Sequence, residues 1–237
     1  MRGTLRCGRF QVIDRPSPNF GRRPAGSKID IIVLHYTGMQ SAADALDRMC
    51  DPASEVSAHY MIDEDGAVYR LVAEELRSWH AGVSSWAGAT DINDRSIGIE
   101  LVNPGHEFGY REFPDPQMAA LANLAREIVG RHVIPAHRVL AHSDVAPTRK
   151  SDPGELFDWR RLAESGIGIW SDEAAVPGQT DPRRAIQLLA QFGYGIDETD
   201  PTAATIAFQR HFRPSCIDGV IDAETFARLR NLCARIT

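Results

Sequence analysis

Residues 29–36 read Ile-Asp-Ile-Ile-Val-Leu-His-Tyr, an almost continuous apolar run with three β-branched residues in succession. Short runs of this kind are typical of a strand that is buried within an α/β sheet. A second run, residues 96–102 (Ser-Ile-Gly-Ile-Glu-Leu-Val), has the same character. The two runs therefore predict two buried strands at the centre of one sheet.

The sequence around these runs predicts further strands and helices in alternation. Residues 58–62 and 67–71 flank an Asp-Glu-Asp-Gly turn and predict a β-hairpin. Helices are expected at 41–49 (with Ser41 as N-cap), 116–133 and 156–164, and a short strand at 139–142. The order β, α, β-hairpin, β, α, β, α predicts an α/β fold with a mixed central β-sheet flanked by helices.

Composition divides the chain into four segments. Residues 1–28 are rich in Arg, Pro and Gly and predict an irregular N-terminal lead-in to the main domain, residues 29–170. Residues 171–180 have the composition of a linker. Residues 181–237 predict a small three-helix C-terminal domain, with helices at 183–192, 201–212 and 223–234.

Charge and composition exclude several classes of protein. The net charge is −6, and residues 181–237 are neutral, so neither part has the basic excess that nucleic-acid binding requires. The longest uninterrupted apolar stretch, residues 31–34, is far shorter than the roughly 20 residues of a membrane-spanning helix. Four widely spaced cysteines without a CxxC pair exclude a Cys-type structural zinc site. The first ten residues lack the apolar core of a signal peptide, so a cytoplasmic location is expected, with a periplasmic one as the alternative if the N-terminus is trimmed.

Two polar residues lie within the predicted central strands or directly after them. His35 follows the apolar residues 31–34, at the strand end where α/β sheets present functional groups. Glu100 is a carboxylate within an apolar strand, and a buried acid is unfavourable unless it is paired, metal-bound or protonated. A functional interpretation is therefore favoured for both. Four other histidines, which we place in turns or on helix faces, are interpreted as surface or capping residues: His106, His132, His137 and His211.

Residues 141–154 (Ala-His-Ser-Asp-Val-Ala-Pro-Thr-Arg-Lys-Ser-Asp-Pro-Gly) bring four polar side chains together: His142, Asp144, Lys150 and Asp152. A catalytic zinc site needs imidazole and carboxylate ligands from converging elements, with one position left to water. His35, His142 and Asp152 would supply two nitrogens and one oxygen. The spacing alone supports a metal site and a metal-free arrangement equally, because no HExxH helix is present.

Five motifs, in the family's order, resemble the zinc-dependent N-acetylmuramoyl-L-alanine amidases of amidase family 2. They are Leu-His-Tyr-Thr (34–37), Ala-His-Tyr-Met (58–61), Trp-His-Ala-Gly (79–82), Asn-Asp-Arg-Ser-Ile-Gly-Ile-Glu (93–100) and residues 141–154. The resemblance covers about residues 29–170 and implies the fold of phage T7 lysozyme and the peptidoglycan recognition proteins. Ala-Phe-Gln-Arg-His-Phe (207–212) and Asp-Gly-Val-Ile-Asp-Ala-Glu-Thr-Phe (218–226) resemble a three-helix peptidoglycan-binding domain.

The resemblance implies a role for each matching residue. His35, His142 and Asp152 match the zinc ligands of the family. Glu100 matches its catalytic base, which takes a proton from the attacking water and passes it to the leaving amine. Lys150 matches the basic residue that stabilises the oxyanion. Five further motif residues are expected in the substrate cleft or in packing that supports it: His59, Trp79, His80, Asn93 and Arg95.

The implied activity is Zn²⁺-dependent hydrolysis of the amide between N-acetylmuramic acid and L-alanine, in cell-wall turnover or recycling. The expected partners are peptidoglycan or muropeptides, including 1,6-anhydro-muropeptides. The alternative is a non-catalytic peptidoglycan-recognition protein of the same fold, which is expected to lack a zinc ligand or the catalytic acid. A serine or cysteine hydrolase finds no support, because the sequence contains no Gly-x-Ser-x-Gly motif and no Cys in a recognisable nucleophile motif.

Overall fold

The computed structural model describes residues 5–7, 10–174, 180–197 and 199–236. Its strands are β1 (Leu5–Cys7), β2 (Phe10–Asp14), β3 (Phe20–Arg22), β4 (Ile31–Tyr36), β5 (Tyr60–Ile62), β6 (Val68–Arg70), β7 (Leu76–Ser78), β8 (Ser85–Trp86), β9 (Ala89–Thr90), β10 (Ser96–Leu101) and β11 (Val139–Ala141). Its α-helices are α1 (Ala42–Cys50), α2 (Gly105–Phe108), α3 (Asp115–His132), α4 (His142–Val145), α5 (Trp159–Glu164), α6 (Pro182–Phe192), α7 (Thr202–Phe212) and α8 (Ala223–Ala234). Short 3-10 helices lie at Pro52–Ser54, Ile92–Asp94 and Ala136–Arg138.

One mixed sheet forms the centre of the fold, in the strand order β1-β2-β6-β5-β10-β4-β11. Strands β5, β10, β4 and β11 run parallel to one another. Strands β5 and β6 form the predicted antiparallel hairpin, whose turn contains Gly66 at a φ of +88°. The predicted mixed α/β sheet is confirmed. Its parallel strands place their C-terminal ends along one edge.

Alternate residues of β4 pack on opposite faces of the sheet. Ile32 and Leu34 belong to the hydrophobic cluster that includes α3. Ile31 and Val33 belong to a second cluster, which includes α6, α7 and α8. Because both faces are covered, the whole strand is buried, as its continuous apolar sequence predicts. The C-terminal helices thus share a core with the central sheet.

The irregular lead-in predicted for residues 1–28 is wrong in part, because three strands lie within it. Strand β2 pairs in parallel with the hairpin strand β6, and β3 pairs with β7. The Pro-rich stretch between β2 and β3 is held by buried Asn19, whose Nδ2 donates to the carbonyls of Asp51 (2.8 Å) and Val56 (2.9 Å). Order here comes from partners distant in the sequence, which local composition does not reveal.

The other predicted elements are found with shifts of at most three residues at their ends. The largest shift is at the helix expected from residue 156, which begins at Trp159. The strand expected at 139–142 ends at Ala141, and His142 begins α4. Of the expected linker, residues 175–179 lie outside the described residues. No helix in the described ranges has the length and hydrophobicity needed to cross a membrane.

Candidate active site

Three parallel strands bring three of the candidate residues to one edge of the sheet. Glu100 of β10 lies directly opposite His35 of β4 in the strand register. On the other side of β4, Ala141 pairs with Leu34, so His142 follows at the level of His35. The strand register thus brings the backbone positions of His35, Glu100 and His142 to the same edge of the sheet.

Asp152 completes a compact group with the two histidines. His35 Nδ1 lies 2.9 Å from His142 Nδ1, and Asp152 Oδ2 lies 3.1 Å from the first nitrogen and 3.0 Å from the second. The loop that carries Asp152 is fixed by a backbone hydrogen bond, since Ser143 N donates to Asp152 O at 3.0 Å. All three residues are at most 6% exposed.

This group has the chemistry and the separations of a zinc site. A tetrahedral site with zinc–ligand distances of about 2.0–2.1 Å has ligand–ligand edges of about 3.3 Å, close to the distances found here. Burial, followed by the neighbouring His142, lowers the pKa of His35 to about 4, so its imidazole is neutral as a ligand must be. Although burial opposes ionisation of Asp152, the two imidazoles hold the pKa of its carboxyl well below the usual range. The donor set therefore fits Zn²⁺.

A chain of hydrogen bonds orients His35. The Ser96 hydroxyl donates to Ile92 O at 2.7 Å, so its oxygen accepts the Nε2–H of His80 at 3.0 Å. His80 Nδ1 is then an acceptor and receives the Nε2–H of His35, also at 3.0 Å. This tautomer leaves the lone pair of His35 Nδ1 free for a metal. Gly98 makes room for the chain, since a Cβ at this position would lie 2.4 Å from His80 Cγ.

His142 is oriented by a backbone carbonyl. Its Nε2 lies 3.1 Å from Ala81 O, which can only accept, so Nε2 carries the proton and Nδ1 is free to bind a metal. The same carbonyl accepts from Arg149 Nη2 at 3.0 Å, and Arg149 also donates to Val83 O. The Arg149 charge is thus engaged in holding the loop at residues 81–83.

Glu100 lies in a cleft of about 820 Å³ whose lining also includes the three candidate ligands and Lys150. Its Oε2 is shielded from solvent and has no hydrogen-bond partner among the described residues. Burial, reinforced by Asp152 and opposed by Lys150, raises the pKa of the Glu100 carboxyl well above its usual range. A carboxyl that lines the cleft, has one shielded oxygen without a partner and has a raised affinity for protons is suited to proton transfer.

Two of the five residues expected near the cleft line it, Trp79 and His80. His59 is buried behind His80, where its Nδ1 accepts from Gly98 N at 3.0 Å. Burial lowers the pKa of His59 to about 3, so its ring is a neutral structural group. His59 was expected in the cleft or in supporting packing, and its buried position corresponds to supporting packing.

Asn93 and Arg95 also lie away from the cleft and support the structure around it. Asn93 Oδ1 accepts from the backbone nitrogens of His80 (3.2 Å) and Ala81 (2.8 Å) and so shapes the loop that carries His80. The Arg95 guanidinium pairs with Asp30, with its Nε 2.7 Å from Oδ1. Both residues were expected in the cleft or in supporting packing, and the structure places them in the second role.

The sequence interpretation assigned the wrong environment to one histidine near this site. His211 was interpreted as a surface or capping residue, but it is 2% exposed and its Nδ1 lies 2.6 Å from Asp144 Oδ2. Asp144 belongs to the same short helix as His142. The position of Asp144 within residues 141–154 was the available signal, although nothing in the sequence pairs it with His211.

Comparison with known proteins finds similarity to N-acetylmuramoyl-L-alanine amidases in both a family profile and individual sequences. The sequence profile of a family described as N-acetylmuramoyl-L-alanine amidase matches residues 25–155. N-acetylmuramoyl-L-alanine amidase AmiD of Escherichia coli is 38% identical over 225 residues, covering 84% of this chain and 80% of AmiD. The 1,6-anhydro-N-acetylmuramyl-L-alanine amidase AmpD of Haemophilus influenzae is 33% identical over 63% of this chain and 89% of its own length.

Solved structures extend the similarity to the C-terminal helices. Escherichia coli AmiD in complex with its substrate anhydro-N-acetylmuramic acid-L-Ala-D-gamma-Glu-L-Lys superposes with a TM-score of 0.79 at 34% identity, covering 98% of both chains. AMPDH3 of Pseudomonas aeruginosa in complex with anhydromuramic pentapeptide superposes with a TM-score of 0.81 at 34% identity, covering 90% of this chain and 94% of AMPDH3.

Proposed function

Because the chain belongs to the N-acetylmuramoyl-L-alanine amidase family, we propose that it is a zinc hydrolase whose metal ligands are His35, His142 and Asp152. It cleaves the amide between N-acetylmuramic acid and L-alanine in muropeptides. The observation that supports the zinc assignment is the convergence of the three ligand atoms beside the unpartnered Glu100 carboxyl. A recognition protein without activity would have no use for this carboxyl, so hydrolysis is favoured.

The reaction adds water to the muramoyl carbonyl carbon and breaks its bond to the L-alanine nitrogen. Zinc held by His35, His142 and Asp152 would supply Lewis-acid chemistry, which polarises a carbonyl and lowers the pKa of water. Glu100 accepts a proton at its carboxyl as water attacks and delivers that proton to the departing amine. Lys150 contributes positive charge from the cleft wall as the carbonyl oxygen becomes negative. His80 holds His35 in the required tautomer throughout.

Zinc analysis and a hydrolysis assay on the same preparation test the proposal. We expect one zinc ion per chain and release of the stem peptide from a soluble anhydro-muropeptide. Removal of zinc by a chelator should abolish release, and added zinc should restore it. Binding of the muropeptide without release would support the recognition protein, and full activity in a zinc-free preparation would contradict the ligand assignment.

Lys150 is expected to lower the activation barrier of amide hydrolysis through its positive charge. Its side chain lines the cleft and has no hydrogen bond or ion pair with any described residue, whereas neighbouring Arg149 donates to two carbonyls. Lys150→Ala should lower kcat by roughly 10²–10³, the effect of losing one oxyanion donor, with zinc retained. Steady-state kinetics and zinc content measure both quantities.

Two further variants separate charge from loop structure. Lys150→Arg should recover activity only in part, because a planar guanidinium presents its charge from a different point. Arg149→Ala should lower thermal stability while reducing kcat by less than about tenfold, since a hydrogen bond from a charged group contributes about 1.5–3 kcal/mol to folding. Near-native kcat in Lys150→Ala would contradict the role of Lys150 in stabilising the oxyanion.

We also propose that residues 181–237 bind peptidoglycan. Helices α6 and α8 border a groove of about 650 Å³ whose lining includes Arg184, Phe226, Arg230 and Asn231. Cationic, aromatic and amide side chains in one groove suit a polar ligand of sugars and peptide carboxylates.

Arg230→Ala should weaken binding to insoluble sacculi by about tenfold, as expected when a charged hydrogen-bond donor is lost. Turnover of a soluble muropeptide should be unchanged, because the groove adds only local concentration at the polymer. A co-sedimentation assay beside the soluble assay measures the two effects. Arg183→Ala, an exposed residue of α6 that does not line the groove, is the matched control. Equal sedimentation of Arg230→Ala and wild type with the sacculi would refute the proposal that this groove binds peptidoglycan.

A further inference from the structure

Asp144 is a fully buried carboxylate with three hydrogen-bond donors. Its Oδ2 accepts from Ala141 N at 2.7 Å and lies 2.6 Å from His211 Nδ1. Its Oδ1 accepts from the Tyr194 hydroxyl at 2.7 Å. The first donor belongs to the central sheet, whereas Tyr194 and His211 belong to the C-terminal helical part of the chain. The carboxylate therefore joins the two parts.

The bond to Ala141 N lies immediately before His142. Asp144 reaches back across the first turn of α4 to the last residue of β11 and so fixes the angle between strand and helix at which His142 is placed. Helix α4 has four residues, and so short a helix cannot maintain its own conformation. We therefore expect the orientation of His142 to depend on the Asp144 side chain as well as on the hydrogen bond between His142 Nε2 and Ala81 O.

The C-terminal donors are themselves held firmly. His211 is stacked between Trp159 of α5 and Phe212 of its own helix, with ring centroids 3.6 Å and 3.8 Å away. Tyr194, which follows α6, is 3% exposed and packs edge-on against Trp86 at 4.9 Å. Neither donor can follow Asp144 if the carboxylate moves. Rigid donors of this kind select one position for the acceptor.

Loss of a donor leaves part of a buried carboxylate unsatisfied. An unsatisfied buried acceptor is unfavourable, and the side chain or its helix shifts to find another partner. Any shift of Asp144 changes its bond to Ala141 N and hence the position of His142. His211 can therefore affect the metal centre through two hydrogen bonds. The first joins His211 to Asp144, and the second joins Asp144 to Ala141 N, directly before His142.

We propose that Asp144 is a positioning residue for His142 and that His211 and Tyr194 hold it in place, so the C-terminal helices form part of the metal centre. This inference rests on the proposed zinc site. It adds that residues 181–237 have a second task, independent of the peptidoglycan groove, because that groove lies at α6 and α8 and none of the three Asp144 donors lines it.

The test compares zinc affinities of full-length variants by competition with a chelator, at a temperature well below unfolding. His211→Leu, which has no donor, should weaken zinc binding by about 10–100-fold, the usual effect of losing a group that supports a ligand. His211→Asn places an amide N–H near the position of Nδ1–H and should restore affinity to within about threefold of wild type. Tyr194→Phe, which keeps the ring and loses only the hydroxyl, should weaken zinc binding by a smaller factor.

Leu229→Ala is the control for a general loss of stability. Leu229 is fully buried in α8, which supplies none of the donors to Asp144. This variant should lower Tm while keeping wild-type zinc affinity. Wild-type affinity in both His211→Leu and Tyr194→Phe, or failure of His211→Asn to restore it, would overturn the positioning role. Absence of zinc binding by the wild-type chain would instead refute the proposed zinc site, so the two failures are distinguishable.

Discussion

His35→Ala is expected to lose its zinc and, with it, measurable hydrolysis of muropeptides. His35 Nδ1 is one of three converging donor atoms, and two donors cannot complete a tetrahedral site. Apparent binding energies of about 10–16 kcal/mol for four-ligand zinc sites correspond to about 2.5–4 kcal/mol per ligand. Removal of one ligand should therefore weaken zinc binding by about 10²–10³-fold. Zinc content after gel filtration, measured beside peptide release, checks both effects.

His137→Ala is the matched control for that result. His137 is a partly exposed histidine in the 3-10 helix before β11, outside the candidate metal centre. It should keep stoichiometric zinc and full activity. A His35→Ala protein with stoichiometric zinc and native turnover would show that His35 is not a ligand.

Glu100→Gln is expected to lower kcat by roughly 10²–10⁴ and to leave zinc bound. Glutamine preserves the shape of the side chain but cannot take a proton from water and pass it to the amine. Zinc should remain because its candidate ligands are His35, His142 and Asp152. Steady-state kinetics and zinc analysis on one preparation separate the two properties.

The same substitution should not reduce the free energy of unfolding. Glu100 Oε2 makes no hydrogen bond with the described residues, so replacement breaks no bond at that atom. Glu107→Gln, at an exposed acid that lines the same cleft, is the control and should keep native kcat. Loss of zinc from Glu100→Gln would show that Glu100 is a ligand, and unchanged kcat would exclude it as the base.

The positions of His35 and Glu100 could be predicted because their strands are buried on both faces. A continuous apolar run identifies such a strand without knowledge of its neighbours, and a polar residue at its end or within it is then conspicuous. Asp152 differs, because it lies in a loop after α4. Its proximity to His35 depends on a backbone bond to Ser143 that no periodicity in the sequence indicates.

The N-terminal strands could not be predicted for a related reason. Strands β1, β2 and β3 are short, and each is stabilised by pairing with another segment. Pairing of this kind is a property of the neighbouring edge as much as of the strand itself. Local composition, dominated by Pro and Arg, therefore indicated an irregular segment.

His211 shows what a helical sequence pattern cannot predict. The sequence of α7 predicts a helix, but a helical pattern does not identify the surface that its buried face contacts. His211 lies on that face and meets Asp144, 67 residues earlier in the chain. Only the packing of α7 against α4 and α5 converts a histidine on a helix face into a buried partner of the candidate metal centre.

The sequence by itself determined the central strands, most of the helices, their alternation and the mixed sheet, because local backbone preferences and hydrophobic periodicity act over a few residues. The same patterns made His35 and Glu100 conspicuous, whereas the catalytic and metal-binding roles came from the resemblance of the motifs to a known family. The tertiary structure alone decided which donor atoms converge, which tautomers His35 and His142 adopt, and that the C-terminal helices bind Asp144. These depend on distances between segments far apart in the chain, and such distances arise only when the strands pair and the helices pack on both faces of the sheet.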